Sequence, residues 1–280
     1  MMRPAPAEHF FLPAAAGRRY CVYHPAQGGA RAALLYVPPF GEEMNRSRRA
    51  ASVAARALAA QGCAVLQLDL HGSGDSDGEF GEARWDTWKA DLALGHAWLA
   101  ERTQCTPGLW GVRLGALLAL DYARAAAVPV ERFVLWQPVL RGAVYLNQLL
   151  RMRMASEMLA GEGGRDSRRL RESLRVEAQE IGGYMLAPAL ADAIEAADAG
   201  AFATPAAPLH WLEVVPAAGR PVPQPAQQQA WIWRAQGATV ELQAVHDEAC
   251  WSMAETAECP QLRAATLAAL AAPATQGGQP

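Results

Sequence analysis

The stretch Gly111-Val112-Arg113-Leu114-Gly115 has the spacing of a sharp turn between a buried strand and a helix. An apolar run precedes it, and a segment rich in Leu and Ala follows it as far as Tyr122, so the sequence predicts strand, turn and helix here. In the G-x-S-x-G form of this frame, the central serine is a nucleophile. Here the central residue is Arg113, whose guanidinium is always protonated and has no lone pair to offer a carbonyl carbon. The frame therefore predicts a familiar turn without its usual nucleophile.

Strands and helices alternate along most of the chain. Residues 9–24 predict an antiparallel hairpin at the start of the sheet. Further strands are predicted at residues 33–37, 63–70, 109–112, 133–140, 209–215 and 239–245, and helices at residues 46–60, with Asn45 as the N-cap, 83–101, 114–124, 226–235 and 260–270. This alternation implies a mostly parallel central sheet flanked by helices. Together with the elbow frame, it predicts an α/β-hydrolase fold.

One stretch departs from the alternation. Residues 141–204 are rich in Leu, Met, Arg and Glu at helical spacing, and Gly161 to Gly164 divide them. We interpret these residues as a helical cap inserted between a first part of the core, residues 1–140, and its remainder, residues 205–270. The tail at residues 271–280 is predicted to be disordered.

Composition narrows the classes of function. The 280 residues are 51% hydrophobic and 19% charged, which fits a globular chain with a sizeable core. The formal net charge of -3 argues against a nucleic-acid partner. We expect no transmembrane segment and a cytoplasmic location, because no long uninterrupted apolar stretch occurs. The five cysteines include no C-x-x-C pair, and we expect neither a metal nor another cofactor.

The residues around the elbow decide what such a site can bind. In an intact site, two backbone N–H groups hold an oxyanion, one after the nucleophile and one in the loop after an earlier strand. These positions are Leu114 and Phe40-Gly41 here. Such N–H groups beside an arginine favour an anion, for example a carboxylate or phosphate. Alternatively, Arg113 pairs internally with Glu42 or Glu43, because a buried guanidinium needs carboxylate or carbonyl partners. At most one of these adjacent carboxylates is expected to face the site.

The remaining members of a Ser-His-acid triad are also incomplete. No Asp or Glu occurs at residues 214–240, which leaves Glu213, inside a predicted strand, as a poor substitute for the acid. His246 follows the last strand, where a catalytic histidine belongs, although a histidine in a polar loop is often only solvated. His246 and Glu43 are therefore weak candidates for the activation of water.

Two further segments attract attention. Trp136-Gln137-Pro138 and Trp251 follow predicted strands at their carboxyl ends, where α/β sheets place ligand sites, and could line a pocket. Leu149 to Met154 combine apolar and basic residues at helical spacing. This pattern is compatible with a cap surface that holds an acyl chain or rests on a membrane, and also with an ordinary helix packed on the core.

Several motifs resemble those of the exosortase A system-associated hydrolase type 2 family: Glu42 to Arg49, Trp110 to Ala116, Leu135 to Val139, and Asn147-Gln148. The resemblance covers nearly the whole chain. It implies a bacterial α/β-hydrolase-superfamily protein linked to exopolysaccharide production and to surface-protein sorting by exosortase. The elbow of that family is similar in carrying arginine, so its name does not imply a serine mechanism here. Cys250 replaces a phenylalanine that is typical of the family.

The sequence leaves three functions open. The first is a degenerate site near Arg113 that binds a small anionic, acyl-bearing or saccharide-type ligand. The second is a hydrolase in which water, assisted by Glu43 or His246, attacks an ester or thioester held by Arg113. The third is a non-catalytic scaffold that acts through the cap. A carboxylate and a histidine that converge on the elbow would favour the second function, whereas an arginine held by carboxylates would favour binding or scaffolding.

Overall fold

The structure, a computed structural model, describes residues 5–126, 128–160, 166–253 and 257–271. It contains a large sheet with helices on both faces and a smaller set of helices inserted after the sixth strand. The elements in chain order are β1 (Glu8–Pro13), β2 (Arg18–His24), β3 (Ala32–Val37), α1 (Glu42–Ala60), β4 (Cys63–Leu68), α2 (Trp85–Thr103), β5 (Gly108–Val112), α3 (Leu114–Ala126), β6 (Phe133–Trp136), α4 (Gly142–Leu159), α5 (Ser167–Leu174), β7 (Gln179–Ile181), β8 (Tyr184–Leu186), α6 (Pro188–Ala196), β9 (Leu209–Val215), α7 (Gln224–Ala235), β10 (Val240–His246) and α8 (Pro260–Ala271).

The large sheet has the strand order β1-β2-β4-β3-β5-β6-β9-β10. β2 is antiparallel to both of its neighbours, and the other adjacent strands are parallel. The predicted α/β-hydrolase fold and its opening hairpin are confirmed. Helices cover both faces of a parallel sheet, so its central strands must be apolar on both sides. This requirement explains why β5, β6 and β9 are buried along their whole length.

Two apolar cores result from this arrangement. α1 and α8 pack on one face, where the rings of Trp110 and Trp136 meet edge to face with centroids 4.8 Å apart. α2, α3 and α7 cover the other face, where Trp88, Trp211 and Trp233 are almost completely buried. Most tryptophans therefore serve packing, which is the commonest use of an indole.

Helix α1 begins earlier than the sequence predicts. Gly41, with a φ of 62°, is its N-cap, and the helix starts at Glu42. The prediction of Asn45 as the N-cap is wrong, because Asn45 lies inside the first turn and its side-chain amide donates to Tyr184 Oη at 2.8 Å. This shift places two acidic residues in the first turn, where the helix dipole favours negative charge.

Strand β6 ends earlier than the sequence predicts. The prediction extends to residue 140, but the strand stops at Trp136. Gln137 has a φ of 42°, which breaks the extended conformation, and the following Pro138 has no N–H for a sheet hydrogen bond. The chain therefore leaves the sheet next to the elbow and forms a loop there. Strand β4 similarly ends at Leu68, two residues before its predicted end at residue 70.

Residues 141–204, which the sequence assigns to a cap, contain the helices α4, α5 and α6. They also contain the antiparallel hairpin β7–β8, which the periodicity did not predict because each of its strands has only three residues. The predicted break at residues 161–164 and the predicted tail after residue 271 lie outside the described residues. Among the helices of the described residues, none combines the length and the apolar character that crossing a membrane would need.

Candidate functional site

Arg113 lies at the turn between β5 and α3, in the place of the nucleophile. Its φ of 52° is in the left-handed region, which is strained for a residue with a Cβ atom. Its N–H donates to the Trp136 carbonyl at 3.0 Å, and its own carbonyl accepts from the N–H groups of Ala116 and Val139 at 3.1 Å. Contacts with β6 and the loop behind it thus hold the backbone in this conformation.

The two glycines of the frame allow close packing around the turn. A Cβ atom on Gly111 would lie 2.4 Å from Ala116 Cα. A Cβ atom on Gly115 would lie 2.3 Å from the carbonyl oxygens of Val37 and Pro38 at the end of β3. These distances are too short for any side chain, so both glycines are needed to seat the start of α3 against the sheet.

The guanidinium of Arg113 has partners on three sides. Nε donates to Glu43 Oε1 at 3.0 Å, and Nη1 donates to the Gln137 carbonyl at 3.2 Å. The guanidinium carbon also lies 5.9 Å from the centre of the Trp251 ring, a cation–π contact. The Arg113 side chain is only 16% exposed, and these partners offset the cost of removing its charge from water.

Glu43 connects Arg113 to α4. Its second oxygen, Oε2, accepts a hydrogen bond from Tyr145 Oη at 3.0 Å. Burial, followed by the nearby Glu43 carboxylate, raises the pKa of Tyr145 well above its ordinary value, so the hydroxyl keeps its proton and donates it. Both oxygens of Glu43 therefore have protein donors. Glu42 points elsewhere: it lies 3.7 Å from Arg46 in a half-exposed pair.

The predicted oxyanion side of the elbow is closely packed. Phe40 is buried among other aromatic rings, and the space that it shares with Leu114 has no room for a water molecule. A Cβ atom on Gly41 would lie 3.5 Å from the Tyr184 ring. The predicted ligand-binding residues near Arg113 therefore do not line the open cavity on its other side; these residues are Leu114, Phe40, Gly41 and Glu42.

An open cavity of about 300 Å³ lies on the other side of Arg113. The loop after β6, the first turns of α4, the end of β9 and the start of α7 enclose it. Ligands of α/β sheets bind at such carboxyl ends of strands, and this volume is at the lower limit for small-molecule sites. The residues that line the cavity are Arg113, Gln137, Pro138, Val139, Leu140, Arg141, Val144, Tyr145, Gln148, Glu213, Pro223, Pro225 and Ala226.

Glu213 lines this cavity, although its place inside a strand suggests a poor site residue. Its side chain is 5% exposed, and its Oε1 accepts a hydrogen bond from Trp211 Nε1 at 2.8 Å. Burial raises the pKa of the Glu213 carboxyl, while the bond from Trp211 and the charge of Arg113 act in the opposite direction. A buried carboxyl with a raised pKa in a cavity is a functional candidate. The sequence signal was the one carboxylate in the strand Leu209–Val215.

His246 is not part of this cavity. It is the exposed last residue of β10 and lines a separate groove with Gln243 and with Gln261 of α8. The structure therefore brings Glu43, but not His246, to Arg113. Within the described ranges, no histidine lines the cavity at the elbow. Of the segments that follow strands, Gln137 and Pro138 do line it, and Trp251 contacts Arg113 from outside.

An α/β-hydrolase fold with a strand-turn-helix elbow defines the class of protein. The family model described as serine aminopeptidase, S33 matches residues 28–177, which is more than half of the chain and includes the elbow. This chain belongs to that family. No curated protein sequence matches it.

Solved structures with the same fold include several esterases and hydrolases. Est1E from Butyrivibrio proteoclasticus with bound ferulic acid has a TM-score of 0.64 at 15% identity, covering 93% of this chain and 96% of that chain. Alpha/beta hydrolase domain-containing protein 10 from mouse has a TM-score of 0.58 at 16% identity, with coverage of 95% and 97%. A carboxyl esterase from Bacillus coagulans in complex with glycerol has a TM-score of 0.56 at 14% identity, with coverage of 86% and 90%. At these identities the similarity establishes the fold alone.

Proposed function

We propose that this chain is a non-hydrolytic member of its family that binds a small anionic or acyl-bearing ligand in the cavity beside Arg113. The place of Arg113 supports this most directly, because an acyl-transfer nucleophile needs a lone pair and a guanidinium offers only N–H donors. The hydrogen bonds of Arg113 to Glu43 and to the Gln137 carbonyl also hold its guanidinium in place, so that the elbow presents a fixed polar wall. A preformed donor wall is suited to binding.

Charge in the cavity favours an anion. Nη2 of Arg113 makes no hydrogen bond within the described part of the chain, so it can donate to a ligand. Arg141, on the same wall, is exposed and has no ion pair among the described residues. Arginines bind carboxylates and phosphates through charge-assisted hydrogen bonds. Pro138, Val144 and Pro225 supply apolar surface for an acyl portion of the ligand.

The biological setting that we propose is the bacterial cytoplasm, in exopolysaccharide- and exosortase-linked surface biology. It rests on the resemblance of the motifs at Glu42 to Arg49 and Trp110 to Ala116 to that system. An acyl or saccharide-type ligand would suit such a setting.

Hydrolysis of an ester or thioester is the second candidate function. Glu213 is the observation in its favour, because it is a buried carboxyl in the cavity that Arg113 also lines. It is better situated to activate water than Glu43, whose oxygens both accept protein hydrogen bonds, or His246, which lies in a separate groove. In this alternative, Arg113 would stabilise the developing oxyanion.

Turnover and binding assays separate the two functions. We expect no turnover of p-nitrophenyl esters or acyl thioesters by the parent protein, and none gained by Arg113→Ser, because no histidine among the described residues lines the cavity.

Calorimetry should detect the binding of small carboxylates, and Arg141→Ala should weaken this binding about tenfold, the effect of one lost charge-assisted hydrogen bond. Arg175→Ala, at an exposed cap position, is the matched control. Clear parent turnover that Glu213→Gln or His246→Ala abolishes would contradict the non-hydrolytic proposal.

A further inference from the structure

We propose that the ligand of the elbow cavity is a small hydroxy acid, with its acid group at Arg113 and Arg141 and its hydroxyl hydrogen-bonded to Glu213. This inference rests on the proposed function and adds the chemistry of the ligand's second end. Glu213 is a cavity residue whose carboxyl an anionic ligand alone would not explain.

The carboxyl of Glu213 has one hydrogen-bond donor within the described residues, and it lines the cavity. Oε1 accepts from Trp211 Nε1 at 2.8 Å, and no ion pair of Glu213 forms among the described residues. A buried polar group costs free energy unless it is hydrogen-bonded. Oε2 makes no hydrogen bond within the described residues, so a hydroxyl in the cavity would donate to it, and the hydroxyl can also accept when the carboxyl is protonated.

The neighbouring helix does not supply that donor. α7 begins beside Glu213, and a helix start often offers N–H groups to a carboxylate. Here Pro225 has no N–H, and the N–H groups of Ala226 and Gln227 donate to the Pro223 carbonyl at 3.0 and 3.1 Å. The first turn of α7 thus presents a largely apolar wall to the cavity, and a bound molecule is the natural partner of Glu213.

The cationic and the acidic residue of the cavity are not paired with each other. Arg113 pairs with Glu43 and not with Glu213, although its charge still lowers the pKa of the Glu213 carboxyl. Gln137 bridges Arg113 and β9, since its carbonyl accepts from Arg113 Nη1 and its side-chain Oε1 accepts from the Val214 N–H at 2.9 Å. A ligand in the cavity therefore meets both a cationic donor, Arg113, and a separate carboxyl, Glu213.

The size and walls of the cavity limit the carbon skeleton. About 300 Å³ suits a single six-membered ring with short substituents. Val139, Leu140 and Val144 offer apolar contacts to the face of such a ring. An aromatic hydroxy acid and a sugar acid share the required pair of groups, and the test below distinguishes these two sources.

The test measures the binding of four probes by calorimetry at pH 7. The probes are 4-hydroxyphenylacetate, phenylacetate without the hydroxyl, 4-methylphenol without the acid, and galacturonate as the sugar acid. One of the two hydroxy acids should bind at least about tenfold more tightly than the probes that lack one group, because each lost hydrogen bond to a charged or buried partner costs about this factor. Which of the two binds more tightly identifies the source.

Variants at Glu213 assign the hydroxyl preference. Glu213→Leu should remove the preference for the hydroxy acid over phenylacetate, whereas Glu101→Gln, an exposed site on α2, should leave this preference unchanged. Thermal unfolding checks that the variants fold. If Glu213→Leu does not fold, Glu213→Asp, with a shorter reach, should lose the preference instead.

The outcomes separate this inference from the proposed function. The hydroxy-acid assignment would be overturned if 4-hydroxyphenylacetate and phenylacetate bind with equal affinity and galacturonate binds no more tightly than either. Anion binding, and with it the proposed function, would then still stand. A hydroxyl preference that survives in both Glu213 variants would also overturn the hydroxy-acid assignment. Failure of the parent to bind any of the three acids would overturn the proposed function as well.

Discussion

The pair of Arg113 and Glu43 is expected to stabilise the folded protein with a coupling free energy of about 2 kcal/mol. Arg113 Nε lies 3.0 Å from Glu43 Oε1, and the side chains are 16% and 22% exposed. Two charges about 4 Å apart attract by about 4 kcal/mol at an effective dielectric constant of about 20. Because both side chains keep some contact with water, solvent screening removes roughly half of this attraction, which leaves more than the 0 to 1 kcal/mol or so of an exposed pair.

A double-mutant cycle measures this coupling. Urea unfolding at pH 7 is followed for the parent, Arg113→Met, Glu43→Gln and the double variant. We expect Arg113→Met to cost more than Glu43→Gln, because Tyr145 Oη can still donate to the amide oxygen of glutamine. The double variant should lose about 2 kcal/mol less than the sum of the single changes.

An exposed pair provides the control at the same distance. Arg168 Nε lies 3.0 Å from Glu172 Oε1 on α5, with side chains 86% and 56% exposed, and its cycle should give no more than about 0.5 kcal/mol. If the cycle at Arg113 and Glu43 gives an equally small value, the guanidinium is not held by Glu43 and the fixed polar wall of the elbow is refuted.

Two further variants test the packing and the electrostatics of the site. Gly115→Ala should lower the free energy of unfolding in urea by about 3 kcal/mol or more, because its Cβ atom would lie 2.3 Å from backbone oxygens. The control Gly81→Ala, whose Cβ atom would lie 3.6 Å from its nearest neighbour, should be tolerated. Similar losses for both variants would contradict the close approach at Gly115. Glu213→Gln should gain stability relative to the parent as the pH rises from about 4 to 7. The reason is that burial raises the pKa of Glu213, so this carboxyl stabilises the fold in acid and loses that contribution when the pH passes the raised pKa. If the free energies of unfolding of Glu213→Gln and the parent differ by the same amount at every pH, this assignment is wrong.

The fold was predictable because its signals are local. Apolar runs at strand or helix spacing predict most strands and helices, and Gly111 and Gly115 indicate the close packing of backbone at the elbow. The short hairpin β7–β8 escaped prediction because strands of three residues carry no usable periodicity. The end of β6 escaped it because Gln137 adopts its positive φ through contacts with β9, which is distant in sequence.

The chemistry of the site depended on contacts between distant segments. An arginine at position 113 excludes a serine nucleophile from the amino-acid identity alone, since protonation of a guanidinium does not depend on its surroundings. Which carboxylate meets Arg113 depends on where α1 begins, because the helical phase directs Glu43 towards the elbow and Glu42 towards solvent. Likewise, the alternation along β9 places Glu213 on one face, but only the packing of α4 and α7 turns that face into the wall of a cavity. The sequence determines which side chains are present, whereas the tertiary structure determines which of them meet, because residues distant in sequence come together only through long-range packing.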